Sequence, residues 1–270
     1  MIHTGSNSQP KAVAVIPARY SSTRLPGKPL LPIAGKPLIV WVAERARAAS
    51  KISRTIVATD DPRIVDAVNA AGFDAVITRA DHLSGTDRVA EVAHNLRADI
   101  IVNVQGDEPL IDPQTIDRAV GALIEDPNAQ MATTFEPITD VADVSNPSVV
   151  KVTVDEYGYA TGFSRNPISA PDQAVEKAGS IESSPDAAGL LCSFRKHTGL
   201  YAYRRDFLLE FARWPQSENE RRESLEQLRG LDRGVKIKVV EAASPSIGVD
   251  TMEDLERVRA IVGREMKVPA

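Results

Sequence analysis

Residues 13–30 read VAVIPARYSSTRLPGKPL, and this stretch decides the fold class. Its first part is apolar and β-branched, which predicts a buried strand. Its second part is a loop of small and hydroxyl residues that carries Arg19, Arg24 and Lys28. In open α/β sheets, ligands bind where a parallel strand runs into such a loop. Because small residues let backbone N–H groups approach phosphate oxygens and cations offset their charge, the loop is typical of a triphosphate site.

Two common phosphate-binding motifs are absent from the sequence. No strand is followed by Gly-x-x-x-x-Gly-Lys-Ser/Thr, and none by Gly-x-Gly-x-x-Gly. Since these loops characterise the P-loop nucleotidases and the dinucleotide-dependent dehydrogenases, their absence argues against both classes.

The composition places the chain among soluble globular proteins. It has 270 residues, 43% hydrophobic and 26% charged, which fits one large domain or one domain with an excursion. The net charge of −5 gives no broad basic surface, so we expect neither nucleic acid nor membrane as a partner. Residues 1–11 are polar and should form a disordered tail rather than a signal peptide. The single Cys192 fits a reducing compartment, so we expect a cytoplasmic protein.

The first half of the chain alternates strand and helix patterns. Strands are predicted at 12–17, 55–59, 74–77, 100–104 and 131–136, and helices over 37–49 and from residues 62, 84 and 113 onward. Asp61 and Asp112 are candidate N-caps, each followed by a proline suited to the first helical turn. Repeated βα units predict an α/β fold with a doubly wound, mainly parallel sheet.

The middle of the chain changes character. Two strand patterns bracket the turn at 155–158 and predict a hairpin, and residues 166–190 look like a mobile loop or lid. Later patterns predict strands at 199–204 and 236–241 and helices over 205–212, over 222–230 and from Thr251 onward. We therefore expect four segments: a tail over 1–11, a nucleotide-binding α/β half over 12–139, an excursion over 140–205 and a return over 206–270.

A second candidate site follows the strand predicted at 100–104. Residues 102–109 read VNVQGDEP, so an apolar strand ends in a turn that carries Asp107. An Asp-Glu pair in a turn is usually only solvated, but flanking glycine and proline constrain this one and favour an Mg²⁺ ligand. A late strand is likewise followed by Asp250. From local sequence alone Asp250 could equally cap the last helix or join Asp107 at one metal ion.

A third polar loop, residues 78–88, leads from a strand into a helix. Helix N-terminal N–H groups together with Arg79 suit base and phosphate recognition. A capped helix start would explain Ser84 and Asp87 equally well.

Two later segments have the mixed character that a sugar site requires. Residues 196–203 and 224–229 combine hydrogen-bonding and apolar side chains. Taken alone, however, His197 is as readily an ordinary histidine at a strand end.

Taken in order, these segments closely resemble the 3-deoxy-manno-octulosonate (Kdo) cytidylyltransferases, or CMP-Kdo synthetases. The resemblance runs from about Val13 to Val258. Its most specific segments are 16–30, 56–60, 78–88, 102–109, 163–165, 197–203, 225–229 and 248–257. It implies a Rossmann-like nucleotide-diphospho-sugar transferase fold, Mg²⁺ dependence and a homodimer built by the excursion. It also implies the reaction CTP + Kdo → CMP-Kdo + diphosphate for lipopolysaccharide synthesis, by in-line attack of the anomeric hydroxyl on the α-phosphorus.

The resemblance further implies roles for single residues. Catalytic roles fall on Arg19, Lys28, Asp107 and Asp250, of which the two aspartates would hold Mg²⁺. Nucleotide contacts fall on Ala18, Arg19, Ser22, Lys28, Arg79, Ser84, Gly85, Thr86 and Gln105. Sugar contacts fall on Arg165, His197, Tyr201, Glu226 and Gln227.

The chain departs from the family after Arg165. It continues Asn-Pro-Ile-Ser-Ala where the family commonly has Ala-Pro-Ile-Pro and an aromatic residue, and residues 170–190 do not align with it. The wall of the sugar pocket is therefore less defined than the nucleotide site. This leaves 8-amino-Kdo as an alternative substrate. A cytidylyltransferase for sialic acid or methylerythritol phosphate is another alternative, against which residues 197–203 and 225–229 favour Kdo. A non-catalytic nucleotide-binding protein on the same fold is a further alternative, although retention of Asp107 and Asp250 with the cationic loop argues against it.

Overall fold

The computed structural model describes residues 10–21, 24–168, 191 and 194–265. The strands of this part are β1 (Ala12–Ala18), β2 (Pro32–Ile33), β3 (Lys36–Pro37), β4 (Ile52–Thr59), β5 (Asp74–Ile77), β6 (Ile100–Asn103), β7 (Met131–Pro137), β8 (Lys151–Val154), β9 (Ala160–Ser164), β10 (Arg195–Arg204) and β11 (Ile237–Glu241). The helices are α1 (Leu38–Ala48), α2 (Pro62–Ala70), α3 (Gly85–His94), α4 (Pro113–Glu125), α5 (Val141–Ser145), α6 (Arg205–Phe211), α7 (Glu218–Glu223), α8 (Leu228–Leu231) and α9 (Met252–Glu265), with a 3₁₀ turn at Lys28–Leu30.

The central sheet has the strand order β11-β7-β10-β6-β1-β4-β5. Strand β1 pairs in parallel with β4 and β6, β4 pairs in parallel with β5, and β7 pairs in parallel with β11. Only β10 runs against its neighbours in this row, between β6 and β7. The sheet is therefore mainly parallel, as predicted. Because the strand order reverses beside β1, the loops after β1 and β6 flank the switch point where such sheets bind ligands.

Helices cover both faces of the sheet. Alternate residues of β1 point to opposite sides, so Ala14 and Ile16 join one buried core whereas Val13 and Val15 join another. The first core is closed by α1, α2, α4 and α9, and the second by α3 and α6. This two-sided burial confirms the doubly wound α/β prediction and explains why these strands read as continuous apolar runs.

The hairpin predicted around the turn at 155–158 is confirmed. Strands β8 and β9 pair antiparallel, and Gly158 closes their turn with a φ of 77°. The hairpin joins the main sheet where Lys151 pairs with Lys196 of β10. The buried Lys151 ammonium group donates to three backbone carbonyls, among them that of Arg165 at 2.7 Å. These bonds fix the base of the hairpin, from which Arg165 projects.

Several boundaries differ from the sequence prediction. The single helix predicted over 222–230 is wrong, because Ser224 adopts a left-handed φ of 53° that ends α7 before α8 begins. Helix α1 starts at Leu38, so Pro37 is its N-cap rather than part of its first turn. The short helix α5 was not predicted, and β10 begins four residues before the predicted start at 199.

Three predictions concern residues outside the described part of the chain. They are most of the tail, most of the proposed lid and the environment of Cys192. Among the described helices, none combines the length and apolar character that crossing a membrane requires.

Candidate active site

Gly106 allows the loop after β6 to pass directly against the end of β1. A Cβ atom at this position would lie 2.5 Å from the carbonyl oxygen of Pro17, closer than real Cβ contacts come. The N–H of Val104 also donates to the carbonyl of Val15 at 3.2 Å. The residues that follow β1 and β6 are therefore held side by side at one edge of the sheet.

Lys28 is the meeting point of two predicted site carboxylates. Its Nζ atom lies 2.8 Å from Asp107 Oδ2 and 3.2 Å from Asp250 Oδ1. Gly27, in the left-handed conformation with a φ of 68°, starts the 3₁₀ turn that presents this lysine. The N–H of Val249 donates to the carbonyl of Asp107 at 2.8 Å, which joins the loop after β11 to the loop after β6. Three elements thus deliver one cation and two acids to a single point.

The capping alternative for Asp250 is answered by its neighbours. Thr251 and Asp254 form the reciprocal cap of α9: the Thr251 N–H donates to Asp254 Oδ2 at 2.8 Å, and the Asp254 N–H donates to Thr251 Oγ1 at 3.2 Å. The Asp250 carboxylate is instead paired with Lys28 and, at 3.1 Å, with Arg24. Its side chain is 48% exposed, so it also remains accessible to solvent.

The two aspartates fit an Mg²⁺ site that is completed by substrate. Mg²⁺ is commonly bound through one or two carboxylates plus phosphate oxygens and water, rather than by a cage of protein ligands. The described residues contain no group of three or more His, Cys, Asp or Glu side chains that could hold a metal ion. Asp107 and Asp250 therefore suit a metal that would arrive with a nucleotide, and in this structure Lys28 pairs with both.

Arg19 connects the first loop to the third. Its guanidinium donates to the carbonyl of His82 at 2.5 Å. Arg79, from the same third loop, is 68% exposed and pairs with Asp81 at 3.4 Å and with Glu91 at 3.8 Å. Arg79 lines an open cleft of about 560 Å³ beside α3. Among the described side chains its ion pairs are with these two acids, and not with Asp107 or Asp250, which form a cluster with Lys28 (the Lys28 cluster). Ser22 lies outside the described residues, and Ala18 ends β1.

The start of α3 is tied to a predicted sugar residue. Ser84 caps the helix together with Asp87, and the Ser84 hydroxyl also donates to Glu226 Oε1 at 3.1 Å. The Thr86 hydroxyl donates to Glu226 Oε2 at 2.5 Å. Between them lies Gly85, where an added Cβ atom would lie 3.4 Å from Cγ of the Pro17 ring. The side chains predicted to hold cytidine and those predicted to hold sugar therefore meet here.

Gln105 and His197 anchor the β10 side of the site. Gln105 Nε2 donates to the Gly199 carbonyl at 2.9 Å. His197 Nε2 lies 2.9 Å from Thr133 Oγ1, and its ring packs edge-on against Phe163 at 5.1 Å. Burial lowers the pKa of His197 to about 3, so the imidazole is neutral at physiological pH. Next to it, burial and then the charge of Glu226 raise the pKa of Tyr201, so its phenol stays protonated.

Two further predicted sugar residues occupy distinct settings. Arg165 is engaged with the backbone: its Nε donates to the Glu223 carbonyl at 2.9 Å and its Nη1 to the Pro147 carbonyl at 3.0 Å. Gln227 is 3% exposed, and its Nε2 has no hydrogen-bond partner among the described residues. A buried amide donor without a partner is costly, and a bound ligand or water at this position would satisfy it.

Sequence reasoning missed three ionisable residues beside the site, Glu108 and the pair Arg229 and Glu220. Burial, and then the charge of Asp107, raise the pKa of Glu108 to about 7. The pair Arg229 and Glu220 is almost fully buried behind Glu226. Glu108 could have been singled out by its place in the Gly-Asp-Glu-Pro turn. The Arg229–Glu220 pair carries no such signal, because charged residues in a helical stretch ordinarily indicate a solvated face.

Comparisons with known proteins agree with this architecture. Residues 13–237 match the family described as Cytidylyltransferase. A 3-deoxy-manno-octulosonate cytidylyltransferase of Pseudomonas fluorescens is 53% identical over 252 residues, covering 92% of this chain and 96% of that protein. The enzyme of the same name from Syntrophotalea carbinolica is 51% identical over 247 residues, with the same two coverages.

A solved structure gives the same result for the fold. CMP:2-keto-3-deoxy-manno-octonic acid synthetase in complex with CTP superposes with a TM-score of 0.84 at 46% sequence identity, covering 94% of this chain and 99% of that one. The family suggested by the sequence is confirmed: the chain belongs to the 3-deoxy-manno-octulosonate cytidylyltransferases.

Proposed function

We propose that this chain transfers the cytidylyl group of CTP to Kdo and releases diphosphate. The observation that carries the proposal is the convergence of Lys28, Asp107 and Asp250 at the switch point of the sheet. Relatives that are 51% and 53% identical in sequence are named for this activity, and the similar solved structure is described as a complex with CTP.

The residues present account for the reaction without a protein nucleophile. The anomeric oxygen of Kdo attacks the α-phosphorus, the bond to the bridging oxygen breaks, diphosphate leaves, and the hydroxyl proton passes to solvent. Catalysis then consists of positioning and charge stabilisation. Lys28 pairs with carboxylates here and, with a triphosphate bound, is placed to pair with phosphate oxygens. Asp107 and Asp250 would hold Mg²⁺, which supplies charge neutralisation and a lowered pKa for the attacking hydroxyl.

The sugar end rests on a different set of groups. Glu226 offers carboxylate oxygens, and Gln227 offers a buried amide nitrogen that has no partner in the part of the chain described. His197 and Tyr201 form a neutral aromatic wall. A polyhydroxylated acid requires such hydrogen-bonding groups, so the pocket wall formed by β10 and the segment before α8 suits Kdo. Arg165 lies at the base of the hairpin, where it would neutralise the sugar carboxylate only after leaving its carbonyl partners.

The same proposal includes three further properties. The enzyme is a homodimer, it lies in the cytoplasm, and its product CMP-Kdo is used in lipopolysaccharide synthesis. The family resemblance supports all three, and the single Cys192 also fits a reducing compartment. Light scattering on the purified chain tests the dimer, and a substitution in the hairpin excursion that yields monomers would locate its interface.

The activity is tested by diphosphate release from purified protein with CTP and Mg²⁺, with and without Kdo. Sialic acid and 8-amino-Kdo serve as alternative acceptors, and EDTA as the metal control. Diphosphate release that requires both Kdo and Mg²⁺ supports the proposal. Release only with another sugar acid would support cytidylyl transfer but would show that Kdo is not the acceptor. Tight CTP binding with no release in any reaction would favour a non-catalytic nucleotide-binding protein.

A further inference from the structure

The Glu226 carboxylate is held from three directions. It accepts hydrogen bonds from Ser84 and Thr86 at the start of α3, and Arg229 Nη2 lies 3.4 Å from its Oε1 atom. Its side chain is nevertheless 27% exposed. Both carboxylate oxygens are thus held by the protein. Oε2 accepts only the Thr86 bond among the described residues, so it keeps a lone pair that a ligand hydroxyl could use.

Arg229 is itself immobilised by a second acid. It forms a bidentate ion pair with Glu220, in which Nε donates to Oε2 at 2.8 Å and Nη2 donates to Oε1 at 2.6 Å. Its Nη1 lies 3.4 Å from the carbonyls of both Phe211 and Trp214, and the guanidinium stacks 4.9 Å from the Phe211 ring. The side chains of both partners in this ion pair are only 5–6% exposed. A planar guanidinium paired in this way has one defined orientation.

Such a buried ion pair requires an explanation beyond stability. Removing two charges from water is expensive, and replacing a buried pair with apolar groups is often neutral or stabilising. The pair does, however, aim the edge of the guanidinium at Glu226. A mobile lysine or an apolar residue at position 229 would not fix that direction.

We propose that Arg229, oriented by Glu220, is a positioning residue that holds the Glu226 carboxylate in place to accept hydrogen bonds from the hydroxyl groups of the sugar acid. This inference rests on the proposal that Glu226 contacts the sugar. In this arrangement Arg229 does not touch substrate. It acts by keeping Glu226 ionised and fixed between the sugar pocket and the start of α3.

The groups around Glu226 determine the pH at which its carboxyl group loses its proton. Burial raises the pKa of Glu226, and the Thr86 hydroxyl and then the Arg229 cation oppose that rise. Ser84 also opposes it, whereas the charge of Asp87 on α3 adds to it. From β10, Tyr201 and Tyr203 face the carboxylate, and the pKa values of both phenols are raised by burial and then by Glu226. Without the Arg229 cation the carboxyl group would take up a proton at a higher pH.

The test compares the kinetic constants of the full-length variants R229M, R229K and E220Q with those of the wild-type enzyme. We expect R229M to raise KM for Kdo about tenfold, with KM for CTP changed less than about threefold, because Ser84 keeps its cap with Asp87. The acidic limb of the pH profile of kcat/KM for Kdo should move to higher pH. R229K should restore part of the loss, and E220Q, which keeps Arg229 but weakens its clamp, should show a smaller increase in KM for Kdo.

Arg204 supplies the matched structural control. It donates to three backbone carbonyls in the last turn of α4 and in the loop that follows, and its described hydrogen-bond partners include no site residue. R204K and R204M should leave KM for Kdo unchanged. If R229M lowers kcat alone, or raises both KM values equally with an unmoved acidic limb, Arg229 is only structural and the inference fails. If R229M does not fold, the same criteria apply to E220Q and R229K.

E226Q separates this inference from the proposal beneath it. An unchanged KM for Kdo in E226Q would remove Glu226 from the sugar site, and the inference about Arg229 would fall with it. A raised KM for Kdo in E226Q but in none of R229M, R229K and E220Q would keep Glu226 at the sugar and overturn the positioning role alone.

Discussion

The Nζ atom of Lys28 lies 2.8 Å from Oδ2 of Asp107, a residue 79 positions further along the chain. The same nitrogen lies 3.2 Å from Oδ1 of Asp250. A metal ion held by these two aspartates would thus draw on the same carboxylate oxygens as the lysine. We expect the metal and Lys28 to compete for these oxygens while the site contains no phosphate, and to act together once a triphosphate adds negative charge.

Replacement of Lys28 should therefore have opposite effects on metal binding and on turnover. In K28A without nucleotide, the affinity for Mn²⁺ as a paramagnetic probe should rise several-fold, because a cation that repels the metal is removed. Turnover should fall about 100-fold, since charge on the phosphates loses its partner. K28R keeps the charge and should bind Mn²⁺ like the wild type. Weaker Mn²⁺ binding by K28A, measured by electron paramagnetic resonance, would contradict the competition.

Asp107→Asn should abolish most activity while leaving the fold intact. The amide keeps the shape of the side chain but loses the charge that would hold a divalent cation, so we expect turnover to fall about 100-fold or more. The Asp107 side chain is 33% exposed, and its side-chain bond is to Lys28, so the melting temperature should change little. D117N removes the charge of an acid that binds Ser50 and Lys51 away from the site, and it should keep wild-type turnover. Near-normal turnover of D107N at saturating Mg²⁺ would show that the metal assignment is wrong.

Gly106→Ala should damage both stability and activity, because its methyl group would meet the Pro17 carbonyl oxygen at 2.5 Å. Relieving that overlap requires a backbone shift, which we expect to cost about 1–3 kcal/mol of unfolding free energy. The shift would move the adjacent Asp107 away from Lys28 and lower turnover. At Gly248, in the loop beside Asp250, an added Cβ meets nothing within 4 Å. Urea denaturation and turnover of G106A and G248A should therefore differ clearly, and equal behaviour would argue against a close approach at Gly106.

Much of the fold was predictable because strand, cap and turn signals agree locally. Asp61 caps α2 by accepting the N–H of Arg63 at 2.9 Å, and Asp112 caps α4 in the same way. The Lys28 cluster was also foreseeable, since residues after parallel strands share one edge of the sheet. The break at Ser224 was not, because a left-handed serine carries no glycine signal.

The contacts of Glu226 show where sequence reasoning stops. Its bonds to Ser84 and Thr86 join residues 142 and 140 positions apart. Nothing in the spacing of either segment indicates that they meet. Arg229 likewise pairs with Glu220 only because the chain turns back at Ser224. Long-range side-chain pairing of this kind follows from tertiary packing, which a single sequence pattern does not contain.

His197 should make the folded state more sensitive to acid. Its pKa is about 3 when folded and 6.5 for the free side chain, so between these values the unfolded chain binds a proton that the folded chain excludes. Stability contributed by His197 is therefore present above pH 6.5 and is lost as the pH falls, by about 2 kcal/mol between pH 7 and pH 5. Glu108 and Glu226, whose pKa values are raised, act in the opposite direction, so the contribution must be taken as a difference from a variant.

H197F provides that difference. Phenylalanine keeps an aromatic ring against Phe163, and the Thr133 hydroxyl retains its bond to the Leu200 carbonyl at 2.8 Å, so no buried donor is orphaned. The unfolding free energy of the wild type minus that of H197F should fall by about 2 kcal/mol from pH 7 to pH 5, because only the wild type loses the histidine contribution. The exposed His94 is the control, and H94Q should follow the wild-type curve. Parallel curves for wild type and H197F in urea denaturation at these two pH values would mean that His197 titrates normally and is open to solvent.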